Sequence, residues 1–142
     1  MTDIEISILD FIQKYFRTAV GDVLMPFITK FGDAGLFWIA IGILLLVWKK
    51  HRKTGVLVLA ALLVDVIICN LILKNAVARI RPFDVNPAVE LLIAKPGDYS
   101  FPSGHTAASF AAVTALYLAK EKYWYLALIL SIAIAFSRLY LY

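Results

Sequence analysis

The chain has 142 residues, 62% of them hydrophobic, with 14 Lys and Arg against 10 Asp and Glu, and its mean hydropathy is +0.83. Soluble domains average roughly 45–50% apolar residues, so a soluble domain of this length cannot hide that much apolar surface and a bilayer is the better solvent. The single cysteine, Cys69, excludes an intrachain disulfide and a multi-cysteine metal site, and the net charge of +4 gives no reason to expect a nucleic-acid partner.

The N-terminal segment, residues 1–30, has acids where a signal peptide has bases, and we do not read it as cleaved. Ile4, Ile8, Phe11, Ile12 and Tyr15 recur at helical spacing, with Asp3, Ser7, Asp10, Lys14 and Arg17 on the other side. That pattern predicts an amphipathic helix lying in the membrane interface, or a helix packed on a bundle. Pro26 and the stretch from Gly32 to Gly35 are expected to break and re-aim the chain. Residues 31–142 then form a transmembrane domain. A helix needs about 20 mostly apolar residues to cross the hydrocarbon core, and four stretches come close: 31–48, 55–73, 101–119 and 123–142. The expected fold is all-α, a polytopic transmembrane helix bundle of about four spans preceded by the interfacial helix. Trp38, Trp48 and Trp124 read as interface anchors.

Lys49, Lys50, Arg52 and Lys53 make a dense basic loop after the first span, and Lys120 and Lys122 lie in the loop after the third. The positive-inside rule makes both loops cytoplasmic. Residues 81–100 and the end of the fourth span then face outward. Lys74, Arg79, Arg81, Lys95 and Arg138 would lie on that outer side, against the charge rule. Binding an anion is one reason for such a cluster; snorkelling of basic ends toward headgroups is the other.

Lys74 and Arg81 are seven residues apart. On one helix that is about two turns, placing both on one face roughly 10 Å apart, with Pro82 ending the helix. Pro102, Ser103, Gly104 and His105 open the third span. Ser103 suits a helix N-cap, Gly104 lets an anion approach the backbone, and free N–H groups at a helix start attract anions. His105, on the first turn, can donate a proton near neutral pH. Arg138 offers a second planar guanidinium at the level of Arg81. One ammonium, two guanidiniums, a backbone nest and a histidine suit binding and protonating a phosphate ester. No carboxylate cluster or second histidine accompanies them, so no metal is expected. Asp65, in the middle of the second span, is expected to be structural, with Asn70 or a polar group of another helix as its partner.

Lys74-x6-Arg81-Pro82, then Pro102-Ser103-Gly104-His105, then Ser137-Arg138, resemble the motifs of the type 2 phosphatidic acid phosphatase superfamily. That superfamily includes bacterial undecaprenyl-diphosphate phosphatases and, more distantly, vanadium haloperoxidases. The resemblance runs from about residue 31 to the end. It implies a membrane phosphatase of the plasma membrane, of bacterial type, with its site on the extracytoplasmic side and a lipid phosphate or polyprenyl diphosphate as substrate. It implies that Lys74, Arg81 and Arg138 bind the phosphate oxygens, that Ser103 and Gly104 hold the phosphate, and that His105 is the general acid. It implies a phosphohistidine intermediate and no cofactor or metal. The motif continues from Ser137-Arg138 with five residues, a histidine, three residues and an aspartate. That histidine falls two positions past Tyr142, the last residue. His51 cannot replace it, since the basic loop lies about a bilayer thickness of 30 Å away. The expectation for these 142 residues is therefore a phosphate cradle and proton donor without the attacking group, cut short within the third motif and lacking the helix that follows. The alternative is a non-catalytic membrane protein that binds a lipid phosphate or other anion.

Overall fold

In the computed structural model, residues 3–86, 89 and 91–142 are described. The first helix, α1 (Asp3–Phe16), has Asp3 and Glu5 in its first turn and Lys14 in its last, matching the helix dipole. It buries Leu9 and Ile12 and leaves Ile4, Ile8, Phe11 and Tyr15 exposed. The chain breaks at Arg17 and Thr18. The Thr18 side chain then caps α2 (Ala19–Thr29) by accepting the Gly21 N–H at 3.0 Å. Residues 1–30 are therefore not one helix, and α2 packs against the last helix of the bundle. The fit is close. A Cβ on Gly21 would lie 2.5 Å from the Tyr140 hydroxyl, which accepts the Thr18 N–H at 3.0 Å and donates to Asp22 at 2.8 Å.

Pro26 does not break the chain. It sits inside α2, where a proline removes one N–H bond without forcing a stop. The re-aiming happens later, in a 3-10 turn over Lys30–Gly35, where Ala34 (φ 49°) and Gly35 (φ 67°) are both left-handed. Then come α3 (Leu36–Val47) and α4 (Arg52–Asp65), the latter continuing through a π-type stretch, Val66–Leu73, into α5 (Lys74–Val77). A short α6 (Pro82–Val85) precedes the loop to α7 (Gly104–Leu118), and α8 (Trp124–Tyr140) closes the chain. Two stretches built of consecutive helices, Ala19–Val47 and Arg52–Val85, are long and apolar enough to cross a membrane, and Trp124–Tyr140 is a shorter apolar helix.

The core is made by small residues meeting large ones. Trp38, Val58, Leu62, Ala108, Ala112, Ala115, Leu116 and Ile134 form its main cluster. Ala and Ser on α7 let α4 and α8 approach closely. Gly42 and Gly55 do the same for α3 and α4: a Cβ on Gly55 would lie 2.7 Å from the Gly42 carbonyl oxygen. Trp38 is not an interface anchor. It is 2% exposed, and its indole N–H donates to Ser109 Oγ at 3.0 Å, the partner a buried indole needs. The outside carries the large apolar side chains, among them Leu63, Leu71, Ile129 and Ile132, while Ser109, Ser131 and Ser137 are fully buried. At one end, Glu121 receives hydrogen bonds from Thr54 at 2.6 Å and from His51 at 2.8 Å. This pins the two basic loops together. The start of α3 and the start of α7 lie at the opposite end.

Candidate functional site

At that opposite end a cavity of about 1450 Å³ is lined by Lys74, Arg81, Ser103, Gly104, His105 and Arg138, the six residues singled out from the sequence. They arrive by different routes. Lys74 opens α5, which ends at Val77 because Ala78 turns left-handed (φ 45°). Arg81 is therefore not two turns along the same helix. It lies in extended backbone (φ −75°, ψ 149°) as the cap before Pro82, the conformation a following proline favours. Ser100 holds this segment out of the helix: its N–H donates to the Arg79 carbonyl and its hydroxyl to the Ile80 carbonyl, both at 2.9 Å.

Lys74 and Arg81 meet on one acid that sequence reasoning missed. The Asp98 carboxylate accepts from Lys74 Nζ through one oxygen and from Arg81 Nη2 through the other. Arg81 Nε also donates to the Asp98 carbonyl, at 2.8 Å. The two cationic side chains are only 14% and 13% exposed. Partial burial works to raise the Asp98 carboxyl, but the hydrogen bonds and charges of Lys74 and Arg81 outweigh it and hold it at about 2.

Ser103 caps α7, its hydroxyl accepting the Thr106 N–H at 3.4 Å and the Thr106 hydroxyl at 3.1 Å. Gly104 is the first residue of that helix, and Asn70 of the π-type stretch backs onto it. A Cβ on Gly104 would lie 2.9 Å from Asn70 Oδ1. Asn70 thus packs on the helix start, away from the role of Asp65 partner expected for it. Asp65 Oδ2 is buried without a hydrogen-bond partner among the described residues, and the carboxyl meets the Cys69 thiol one turn on.

His105 is fixed from several sides. Its carbonyl accepts the Ser109 hydroxyl at 2.7 Å, and Ser109 is held by Trp38. Its Nε2 lies 2.8 Å from Asp33 Oδ1 in the turn before α3. A carboxylate oxygen accepts, so Nε2 carries the proton. Arg138 leaves the last turn of α8, and its Nη1 donates to the Thr29 hydroxyl at 3.1 Å. Its neighbour Ser137 is buried and bonds the Ile134 carbonyl at 2.6 Å, away from the cavity. Asp98, Asp33, Asn70 and Thr29 are the partners that the motifs did not mark. Nothing local distinguishes them from ordinary loop and helix-end polar residues. Among the described residues, no group of three or more His, Cys, Asp or Glu side chains is placed to hold a metal ion.

An all-α protein with long apolar stretches and a cationic cavity at one end of its helices is the class this geometry defines. Residues 54–142 match the PAP2 superfamily, and the chain belongs to it. It is 36% identical over 129 residues to an undecaprenyl-diphosphatase of Sulfolobus acidocaldarius, covering 89% of this chain and 61% of that protein. It is 27% identical over 120 residues to the bacitracin transport permease protein BcrC of Bacillus licheniformis, covering 83% of this chain and 59% of that one. The chain thus spans about three fifths of the length of the curated relatives it matches. No solved structure matches it.

Proposed function

We propose that this protein binds the terminal phosphate of a lipid phosphate or polyprenyl diphosphate in a membrane and takes part in its hydrolysis. The observation that carries the reading is the Asp98 carboxylate held between Lys74 and Arg81. Two cations that are mostly withdrawn from solvent already grip an anion, in a cavity also lined by Arg138, Ser103, Gly104 and His105. Side chains that merely snorkel extend outward; these turn in. A phosphoryl group offers the same kind of acceptor oxygens as a carboxylate and more charge.

In this reading Lys74, Arg81 and Arg138 take the phosphoryl oxygens and stabilise the charge that builds in the transition state. The capped start of α7, with Gly104 bare of side chain, presents backbone N–H groups and the helix dipole. His105 passes its proton to the leaving oxygen. The parts assigned to these residues are binding, charge stabilisation and protonation. The relative from Sulfolobus acidocaldarius is named an undecaprenyl-diphosphatase, which supports a polyprenyl diphosphate as the substrate class.

The inside-out distribution of apolar residues and the two long apolar stretches support a membrane setting. We place the basic loops in the cytoplasm and the cavity at the extracytoplasmic surface of the plasma membrane. Residues 31–142 make up the phosphatase-type domain, with α2 packed on it. The exposed stripe of Ile4, Ile8, Phe11 and Tyr15 on α1 lies in the interface.

The test is phosphate release from a polyprenyl diphosphate by the full gene product in detergent micelles, compared with His105→Ala. Release by the parent that falls by about a hundredfold or more in the variant is expected for a general acid. Equal release by both sinks the role given to His105, and substrate binding without release identifies a pocket that only binds.

A further inference from the structure

The turn before α3 lies outside residues 54–142, the part that matches the superfamily, yet it contacts the cavity at three points. Thr29 holds Arg138. Gly32 lies flat against the His105 ring: a Cβ there would be 2.7 Å from His105 Cδ2 and 3.0 Å from its Cβ. Asp33 accepts from His105 Nε2 at 2.8 Å. Two consecutive left-handed residues then end the turn, and one of them, Ala34 (φ 49°), is not glycine. A left-handed alanine is uncommon and costs conformational energy. Here it follows directly on the residue that reaches the imidazole.

We propose that Asp33 is a positioning residue for the proton donor: its carboxylate accepts the Nε2–H of His105 and fixes the ring against Gly32, so that the proton the imidazolium gives up is the one on Nδ1. This rests on the part assigned to His105 above. The other charged groups facing that ring are Arg138 from α8, Asp98 from the loop before α7, and Lys74 and Arg81 behind Asp98. Burial of the ring, first of all, and Arg138 oppose a positive imidazolium; Asp33 and Asp98 favour it, but Asp98 is engaged by Lys74 and Arg81. Asp33 is the carboxylate in hydrogen-bond contact with the ring. Gly32 and the fixed His105 carbonyl leave the ring little room to turn away from it.

The chain has two histidines, and they lie at opposite ends of the helices, so each reports on the other. The protein is labelled at histidine, placed in micelles and titrated by NMR. Asp33→Asn is expected to lower the His105 midpoint by about one pH unit, the lower end of what a contacting opposite charge supplies, because Asp33 is partly exposed. His51 should stay where it is, and Asp33→Glu should restore most of the His105 midpoint. In the full gene product, the alkaline limb of kcat for Asp33→Asn should move to lower pH by the same amount, with KM within about twofold. A His105 midpoint unmoved by Asp33→Asn overturns the proposal. So does an equal shift at both histidines, or an Asp33→Glu variant that titrates like Asp33→Asn. The titration needs no turnover, so a parent protein that releases no phosphate would strike the proposed function and leave this result to stand or fall by itself.

Discussion

Replacing Asp98 with Asn should tighten the binding of a phosphate-like anion. The Asp98 carboxylate sits between Lys74 and Arg81, so an incoming anion must displace it or share the two cations with it. The drop of the carboxyl from 3.8 to about 2 corresponds to at most about 2.4 kcal/mol of preference for the ionised, paired form. The Asp98 side chain is 51% exposed, and solvent screening brings that down to about 1 kcal/mol. An anion relieved of this competitor should gain about that much, roughly fivefold in Kd. Because the folded value is depressed, the ion pairs are fully present above the ordinary carboxylate value and are lost only as pH falls through about 2. The gain should therefore hold steady between pH 5 and 8 apart from the titration of the probe itself. Orthovanadate binding to the detergent-solubilised chain, followed by isothermal titration, measures it. Equal or weaker binding by Asp98→Asn would refute the reasoning, since Asp98 would then be part of the wall that shapes the cavity and not an occupant of the anion's place.

Gly104→Ala should destabilise the protein and weaken vanadate binding, because the added methyl would lie 2.9 Å from Asn70 Oδ1; overpacking of this kind costs about 1–3 kcal/mol. Combining it with Asn70→Ala should recover most of the loss in thermal unfolding, and an unchanged midpoint in the single variant would count against the close approach. Trp38→Phe removes the indole donor to Ser109 and should lower stability by about 1–2 kcal/mol, read from the midpoint of thermal unfolding in micelles. A midpoint equal to that of the parent would show that the Trp38–Ser109 bond adds nothing.

The apolar runs and the cationic motifs were legible in the sequence because each depends on residues close together in the chain. A capped helix start needs Ser103 and Gly104 side by side, and a long apolar helix needs nothing beyond its own residues. Their convergence followed from the loops: the basic loops define one end, and each motif lies at the other. What was not legible depends on contacts across the chain. Pro82 announced a break but not its position, which is set at Ala78 by Ser100, a residue of a later loop. Trp38 begins an apolar run as an interfacial tryptophan would, and its burial is decided by Ser109, 71 residues away. Asp33 and Asp98 look like solvated loop acids beside glycines until His105, Lys74 and Arg81 are brought to them.

Asp98, together with Glu5 and Asp84, also accounts for most of the basic residues that oppose the topology signal. At the cavity end Lys74 and Arg81 share Asp98, Arg79 pairs with Glu5, and Lys95 pairs with Asp84. Arg138 is different: its described side-chain partner is the neutral Thr29 hydroxyl. Among the described residues, pairing with Arg138 therefore breaks no ion pair, whereas engaging Lys74 and Arg81 means parting them from Asp98. On the proposed reading an arriving phosphate is met first by Arg138 and the N-terminus of α7, and Lys74 and Arg81 are transferred to it from Asp98 afterwards. The carboxylate keeps the two cations close together and mostly out of solvent, so that the cavity does not have to assemble around its ligand. Removing Asp98 should then separate two effects: tighter binding because a competitor is lost, and a more mobile pair of cations because their common anchor is lost. The first dominates only if Ser100 and Pro82 are enough to hold Arg81 in place, which is why Asn, with nearly the same shape and hydrogen-bonding reach, is the substitution to make.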